Sequence, residues 1–262
     1  MAVDSKPIWS SPTEPEQLQP FRLRGGVRGC LLIHGFAGTP PEMRGVGEFL
    51  AARGYDVMAP LLAGHGLTPE AMAATRWQDW AASAEAAYRE LRRDCDRVFV
   101  CGQSLGGTLA LHLAAGHPEI AGVITIAAMG SPGYFHDWRL KFLWALKYLV
   151  RWHVPPADCD LGDPGGLALL HSYARRPTAC IQSLVGLVRV VDRELPRISV
   201  PALIVHGRND RTVDVANAPH ILRRLGSKDK TLLWFEKSGH AVTVDLEREA
   251  LAAQIASWLE AR

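Results

Sequence analysis

Val98-Phe99-Val100-Cys101-Gly102-Gln103-Ser104-Leu105-Gly106-Gly107 decides the reading of this chain. Val98 to Cys101 is a short apolar run of strand character, and a helical pattern follows from Thr108 to Ala115. A G-x-S-x-G set between a strand and a helix requires a sharp, strained turn that pushes the serine hydroxyl into a cleft. Glycine at the flanking positions lets neighbouring backbone approach where a Cβ would block it. Ser104 is therefore the candidate nucleophile. The competing reading is an ordinary glycine-rich strand-to-helix turn.

Outward from that turn, strands are expected at Cys30 to Ile33, Asp56 to Met58, Arg97 to Cys101, Gly122 to Ala127, Ala202 to Val205 and Thr231 to Phe235. Before them, Pro20 to Leu23 supplies at most one more. Thr39-Pro40-Pro41-Glu42 and Thr75-Arg76-Trp77-Gln78 read as capping boxes. The closing helix places Leu251, Ile255, Trp258 and Leu259 on one face. Such alternation implies an α/β fold, a mostly parallel sheet with helices on both faces.

The alternation breaks once, between Ser131 and Ile198. The expected organisation is a core made of residues 1–130 and 199–262, with 131–198 inserted as a cap. From Tyr134 to Trp152 the insertion holds seven of the chain's twenty aromatic residues, beside Arg139, Lys141, Lys147 and Arg151. A lid over an apolar pocket, a helix lying on a membrane surface and packed core all fit that composition. Trp138, Phe142, Trp144 and Leu146, with Phe36 from the core, are the candidate pocket residues.

Composition narrows the function classes. The 262 residues are 48% apolar and 21% charged with a formal charge of +2, which excludes disorder, fibres and electrostatically driven nucleic-acid binding. Five cysteines, Cys30, Cys95, Cys101, Cys159 and Cys180, form no C-x-x-C pair and read as reduced thiols of an intracellular protein. The first nineteen residues show no signal-peptide core, and no apolar run reaches eighteen residues. A cytoplasmic protein, monomeric or homodimeric, without stable membrane insertion is the expectation, with weak membrane-surface contact through the basic residues of the cap left open.

A serine hydroxyl needs a base to take its proton and a carboxylate to orient that base. In a parallel sheet these groups gather on loops at the carboxyl ends of the strands. His240, in Lys237-Ser238-Gly239-His240, follows the last strand and suits the base better than His112, His117, His206 or His220. Asp210, in Gly207-Arg208-Asn209-Asp210, follows the preceding strand; Asp214 is the runner-up but sits where a helix N-cap is wanted. The tetrahedral intermediate also needs two N–H donors. The Leu105 N–H after the nucleophile and the Phe36 N–H in His34-Gly35-Phe36-Ala37-Gly38 fit, with His34 bracing the loop.

Other signals fail. Gly64-His65-Gly66-Leu67-Thr68-Pro69 lacks the third glycine of a dinucleotide fingerprint, and no phosphate-loop or zinc-protease motif occurs. Asp158-Cys159-Asp160-Leu161-Gly162-Asp163 has its glycine one place early for a calcium loop and Leu169 where a glutamate belongs. No metal, nucleotide or organic cofactor is expected.

These motifs together resemble the α/β-hydrolases, and among them the small bacterial carboxylesterases and monoacylglycerol lipases. The likeness runs from Leu31 to the C-terminus through His34 to Gly38, Gly64-His65-Gly66, the Ser104 elbow, Gly207 to Asp210 and Ser238-Gly239-His240. It implies an eight-stranded or slightly trimmed sheet and a helical cap after the sixth strand. It also implies Ser104, Asp210 and His240 as triad, with Phe36 and Leu105 as oxyanion donors. The expected activity is hydrolysis of apolar esters or monoacylglycerols through an acyl-enzyme. The same triad also serves thioesterases, amidases, acyltransferases and carbon–carbon hydrolases, and a lipid-binding protein on this scaffold is a third reading.

Overall fold

The computed structural model describes residues 18–134, 150–155 and 160–262. Six strands lie parallel: β2 Arg28–Ile33, β3 Tyr55–Ala59, β4 Arg97–Gln103, β5 Gly122–Ile126, β8 Ala202–Gly207 and β9 Lys230–Phe235. The short β1 Phe21–Leu23 joins antiparallel at the edge, giving the order β1-β3-β2-β4-β5-β8-β9. Trp152–His153 (β6) and Arg176–Pro177 (β7) form a separate antiparallel pair. Cys30, Leu31, Leu32 and Ile33 are all fully buried, as a strand covered on both faces requires.

The helices are α1 Arg44–Ala51, α2 Pro69–Ala73, α3 Trp77–Asp94, α4 Leu105–Gly116, α5 Thr178–Glu194, α6 Asn217–Arg224 and α7 Arg248–Glu260. On one face Val46, Leu50, Ile255 and Trp258 from α1 and α7 pack on Leu32 and Phe99. On the other, Trp80, Leu91, Leu109, Leu187 and Ile221 from α3, α4, α5 and α6 share one cluster. Burial of one such side chain is worth about 1.5–3 kcal/mol, so both layers hold the sheet firmly.

Several local expectations change. Helix α5 lies inside the stretch read as an insertion, yet Cys180, Leu184, Leu187, Val188 and Val191 pack in the core cluster. It is the crossover that returns the chain from β5 to β8 on the covered face. The excursion leaves the sheet after β5, as suits a sheet one strand shorter than eight. The strand read to Ala127 stops at Ile126, because Ala127 takes φ +50°. Thr39 does not cap a helix: Pro40–Met43 is a 3-10 turn, and Glu42 turns inward instead. The second capping box shifts by one residue. Asp79 accepts the Arg76 N–H at 2.8 Å, while Thr75 Oγ1 takes the Trp80 indole N–H at 2.9 Å.

Cys30, Cys95, Cys101 and Cys180 are free and buried; Cys159 lies outside the described residues. Among the described residues no helix is long and apolar enough to cross a membrane. The parallel order brings the carboxyl ends of β2, β4, β8 and β9 to one edge, where their following loops meet.

Candidate active site

Ser104 stands between β4 and α4 with φ +54° and ψ −117°, a conformation that non-glycine residues hold only when their surroundings force it. Its N–H donates to Ile126 O at 2.8 Å, and its carbonyl accepts the Thr108 N–H at 3.1 Å. The hydroxyl is left for the cleft. His240 Nε2 lies 3.0 Å from Ser104 Oγ, and His240 Nδ1 lies 2.8 Å from Asp210 Oδ2. An ionised carboxylate only accepts, so Nδ1 carries the hydrogen and Nε2 is free to take the serine proton.

Asp210 is fixed on its other side as well, where Oδ1 accepts the N–H groups of Thr212 at 2.9 Å and Val213 at 2.8 Å. Burial by itself would raise the Asp210 carboxyl, but His240 and His206 outweigh it and hold it well below the usual carboxylate range. Burial likewise opposes charging of His240, and the adjacent Asp210 carboxylate more than offsets this, moving the ring upward. Asp214 accepts the Ala216 N–H at 2.9 Å in the turn leading into α6, but it is not the helix cap expected of it: the N-cap residue is Ala216. The competing histidines are engaged elsewhere: His112 with Glu194, His117 with Glu85 and Glu119, and His220 with Asp192.

The loop after β2 closes as a turn, with Gly38 N–H donating to Gly35 O at 3.1 Å and Ala37 at φ +60°. His34 is buried and accepts the Leu62 N–H on Nε2 at 3.1 Å, with Nδ1 placed 3.0 Å from Gly35 O. Burial, seconded by His65, pushes its ring down to about 3, so His34 braces the loop as a neutral group. The loop lies against Ser104: a Cβ on Gly35 would sit 3.5 Å from Ser104 Cβ. Neither the Phe36 nor the Leu105 N–H has an acceptor among the described residues. Half-buried Phe36 directs its ring at His65 and Trp80, with centroids 6.3 and 5.6 Å away. Trp138, Phe142, Trp144 and Leu146 lie outside the described residues.

Four supporting groups escaped the sequence reading. Gln103 Oε1 accepts the Thr243 hydroxyl at 2.5 Å, tying the elbow to the segment after His240. Asp245 accepts N–H groups from Gly239 at 2.7 Å and from Gly162 at 2.8 Å, so one carboxylate joins the His240 loop to the calcium-like segment. In that segment Asp160 accepts the Arg211 N–H at 2.8 Å, and Asp163 accepts the Gly165 N–H at 2.8 Å. These carboxylates serve the backbone. His206 reaches Asp210, as described below.

The fourth group is Glu42, whose carboxylate accepts the Gly35 N–H and fills the space beside Gly38. Burial pushes its carboxyl up to about 7, against the opposing pull of the Gly35 N–H and of His240. A folded pKa above the unfolded one makes ionisation favour the unfolded chain, so Glu42 costs stability progressively between about pH 4.5 and pH 7. Glu42→Gln keeps an acceptor and cannot ionise. Urea unfolding is expected to show it more stable than the parent by up to about 3 kcal/mol at pH 8, with most of that gain gone at pH 5. A difference independent of pH would contradict the buried ionisation.

Comparison with known proteins places these residues in context. A family model described as serine aminopeptidase, S33 (Hydrolase_4) matches residues 27–247. A thermostable monoacylglycerol lipase of Bacillus sp. (strain H-257) is 36% identical over 88% of this chain and 89% of its own length. A carboxylesterase of Bacillus subtilis is 28% identical over 92% of this chain and 96% of its own. Among solved structures, one described as metagenome-derived lipolytic enzymes superposes with a TM-score of 0.87 at 33% identity, covering 94% of this chain and 98% of that one.

Proposed function

The chain belongs to the serine aminopeptidase S33 family of hydrolases, and from that membership we propose that it is a serine carboxylic-ester hydrolase acting on apolar acyl esters, monoacylglycerols included. The observation that carries the proposal is the unbroken line from Ser104 Oγ to His240 Nε2 at 3.0 Å and from His240 Nδ1 to Asp210 Oδ2 at 2.8 Å. The similarity to a monoacylglycerol lipase and a carboxylesterase supports esters as the substrate class.

In the proposed reaction His240 removes the Ser104 proton as Oγ bonds to the ester carbonyl carbon. The carbonyl oxygen becomes an oxyanion that the Phe36 and Leu105 N–H groups receive. Collapse breaks the carbon–oxygen bond to the alcohol, which takes the proton from His240. Water then repeats the cycle on the acyl-enzyme, releasing the acid and restoring Ser104. Losing one such oxyanion donor typically costs about 2.7–4 kcal/mol, so placing the loop against Ser104 adds to what the base supplies.

The remaining parts of the proposal are a cap drawn from the part of residues 131–198 outside the core helix α5, which shapes the acyl pocket, a cytoplasmic location, a monomer or homodimer, and weak contact of the cap with membrane surfaces. The family description gives a second reading, amide hydrolysis, a specific footing. Ester, thioester and amide of one acyl group, presented in turn to enzyme titrated with a fluorophosphonate, separate the two. The ester is expected to give the highest kcat/KM, rising with acyl length before it falls. A higher value on the amide would overturn the proposal in favour of a peptidase.

A further inference from the structure

His206, near the end of β8, is a fully buried histidine that the proposed mechanism leaves without a role, with a side chain only 1% exposed. Its Nε2 lies 2.9 Å from Asp210 Oδ2 and 3.4 Å from the Val213 carbonyl oxygen. Both neighbours are acceptors, so Nε2 carries the hydrogen. Nδ1 is buried with no hydrogen-bond partner among the described residues, and the ring tilts against Trp234 with centroids 6.0 Å apart. Oδ2 of Asp210 is the same oxygen that receives His240 Nδ1–H at 2.8 Å.

We propose that His206 is a positioning residue for the triad, holding its Nε2, which is hydrogen-bonded to the Val213 carbonyl, 2.9 Å from Asp210 Oδ2, so that two histidines lie against one carboxylate oxygen and only one of them faces Ser104. This inference rests on the triad reading above. Its physical content is twofold. The two backbone donors on Oδ1 fix one end of the carboxylate and His206 fixes the other, so Asp210 cannot rotate away from His240. His206 also takes up part of the charge on Oδ2, which lowers the hold of Asp210 on the His240 proton and favours its transfer to the leaving alcohol.

The charged groups bearing on His240 are Asp210, Asp160 and Glu42, and all three remain when His206 is changed. Replacing His206 by Phe removes the donor but keeps a buried ring. The expected results are a fall in kcat of about 10- to 100-fold with KM within about twofold, and a shift of the acid limb of kcat/KM to higher pH. The shift is upward because an uncompensated Asp210 holds the His240 proton more tightly. His206→Gln, which retains an N–H on a side chain of similar reach, is expected to recover part of kcat and to move the limb back.

An acid limb unmoved in both variants, with activity that only tracks the folded fraction, would overturn the proposal. Should the variants fail to fold, histidine-selective 15N spectra of the unaltered protein decide. His206 is expected as the Nε2–H tautomer; an Nδ1–H tautomer would overturn the inference. Failure of the triad reading looks different: the parent enzyme would not react with a fluorophosphonate, and Asp210→Asn would leave kcat unchanged.

Discussion

Ser104→Ala is expected to lower kcat/KM for ester hydrolysis by about 10^4- to 10^6-fold while leaving the unfolding midpoint within a degree or two of the parent. The activity loss follows from the loss of the attacking oxygen: what remains is binding and the loop N–H groups, which alone give only a residual acceleration over water of about 10^3- to 10^4-fold. The fold is spared because, among the described residues, the Ser104 hydroxyl is hydrogen-bonded only to His240, whereas the turn depends on the backbone bonds to Ile126 and Thr108. Alanine keeps the Cβ already accommodated at φ +54°.

His240→Ala is expected to cost about as much, and the double variant little more, because nucleophile and base act as one unit and their effects do not add. Progress curves on a chromogenic ester and mass spectrometry of the fluorophosphonate adduct measure both halves. A Ser104→Ala variant that still turned over near the parent rate would remove the nucleophile assignment.

The largest effect on stability is expected at Gly106. A Cβ there would sit 2.0 Å from the Ile33 carbonyl oxygen and 2.7 Å from that of His34. Ile33 is the last residue of β2, in register with Gly102 of β4, so the obstructing atoms belong to the centre of the sheet. A flexible side chain would yield; this backbone cannot move without dragging the loop that carries Phe36 away from Ser104. Gly106→Ala is therefore expected to cost more than about 4 kcal/mol, the range reserved for broken cores and strained backbone. In a chain of this size that corresponds to a midpoint lowered by roughly 10 °C or more, or to insoluble protein.

Gly116, at the other end of α4, is the control. A Cβ there meets nothing within 4 Å, so Gly116→Ala is expected to be neutral or to gain up to about 1 kcal/mol of helix propensity. Equal unfolding midpoints for the two variants would show that the elbow does not depend on the close approach to β2.

Much of this site was legible in the sequence because its parts carry local signatures. The elbow glycines, the loop after β2 and the late loops bearing Asp210 and His240 are each readable within five or six residues. What could not be read depends on where side chains meet in space. Gln103 and Thr243 lie 140 positions apart, and nothing in either neighbourhood names the other. Glu42 looked like a capping glutamate because its spacing from Thr39 is right; its turn is too short to be a helix, and its carboxylate is buried, where it accepts the Gly35 N–H. His206 read as a strand terminus, since a four-residue separation from Asp210 becomes a contact only when the chain reverses after β8. Helix α5 shows the same limit: its apolar positions announce a helix, but not that it packs beside α4 instead of standing outside the core.

The shared edge of the sheet also bears on how the chain acquires its activity. Ser104 and His240, the proposed nucleophile and base, are 136 residues apart, and His240 follows β9, the last strand of the sheet in chain order. A chain ending before β9 lacks His240, the proposed acceptor of the serine proton. Contacts of such long range form late and slowly, because the loop between them must close before they repay its entropy. On the proposed triad, turnover of a chromogenic ester is expected only once the sheet through β9 is complete.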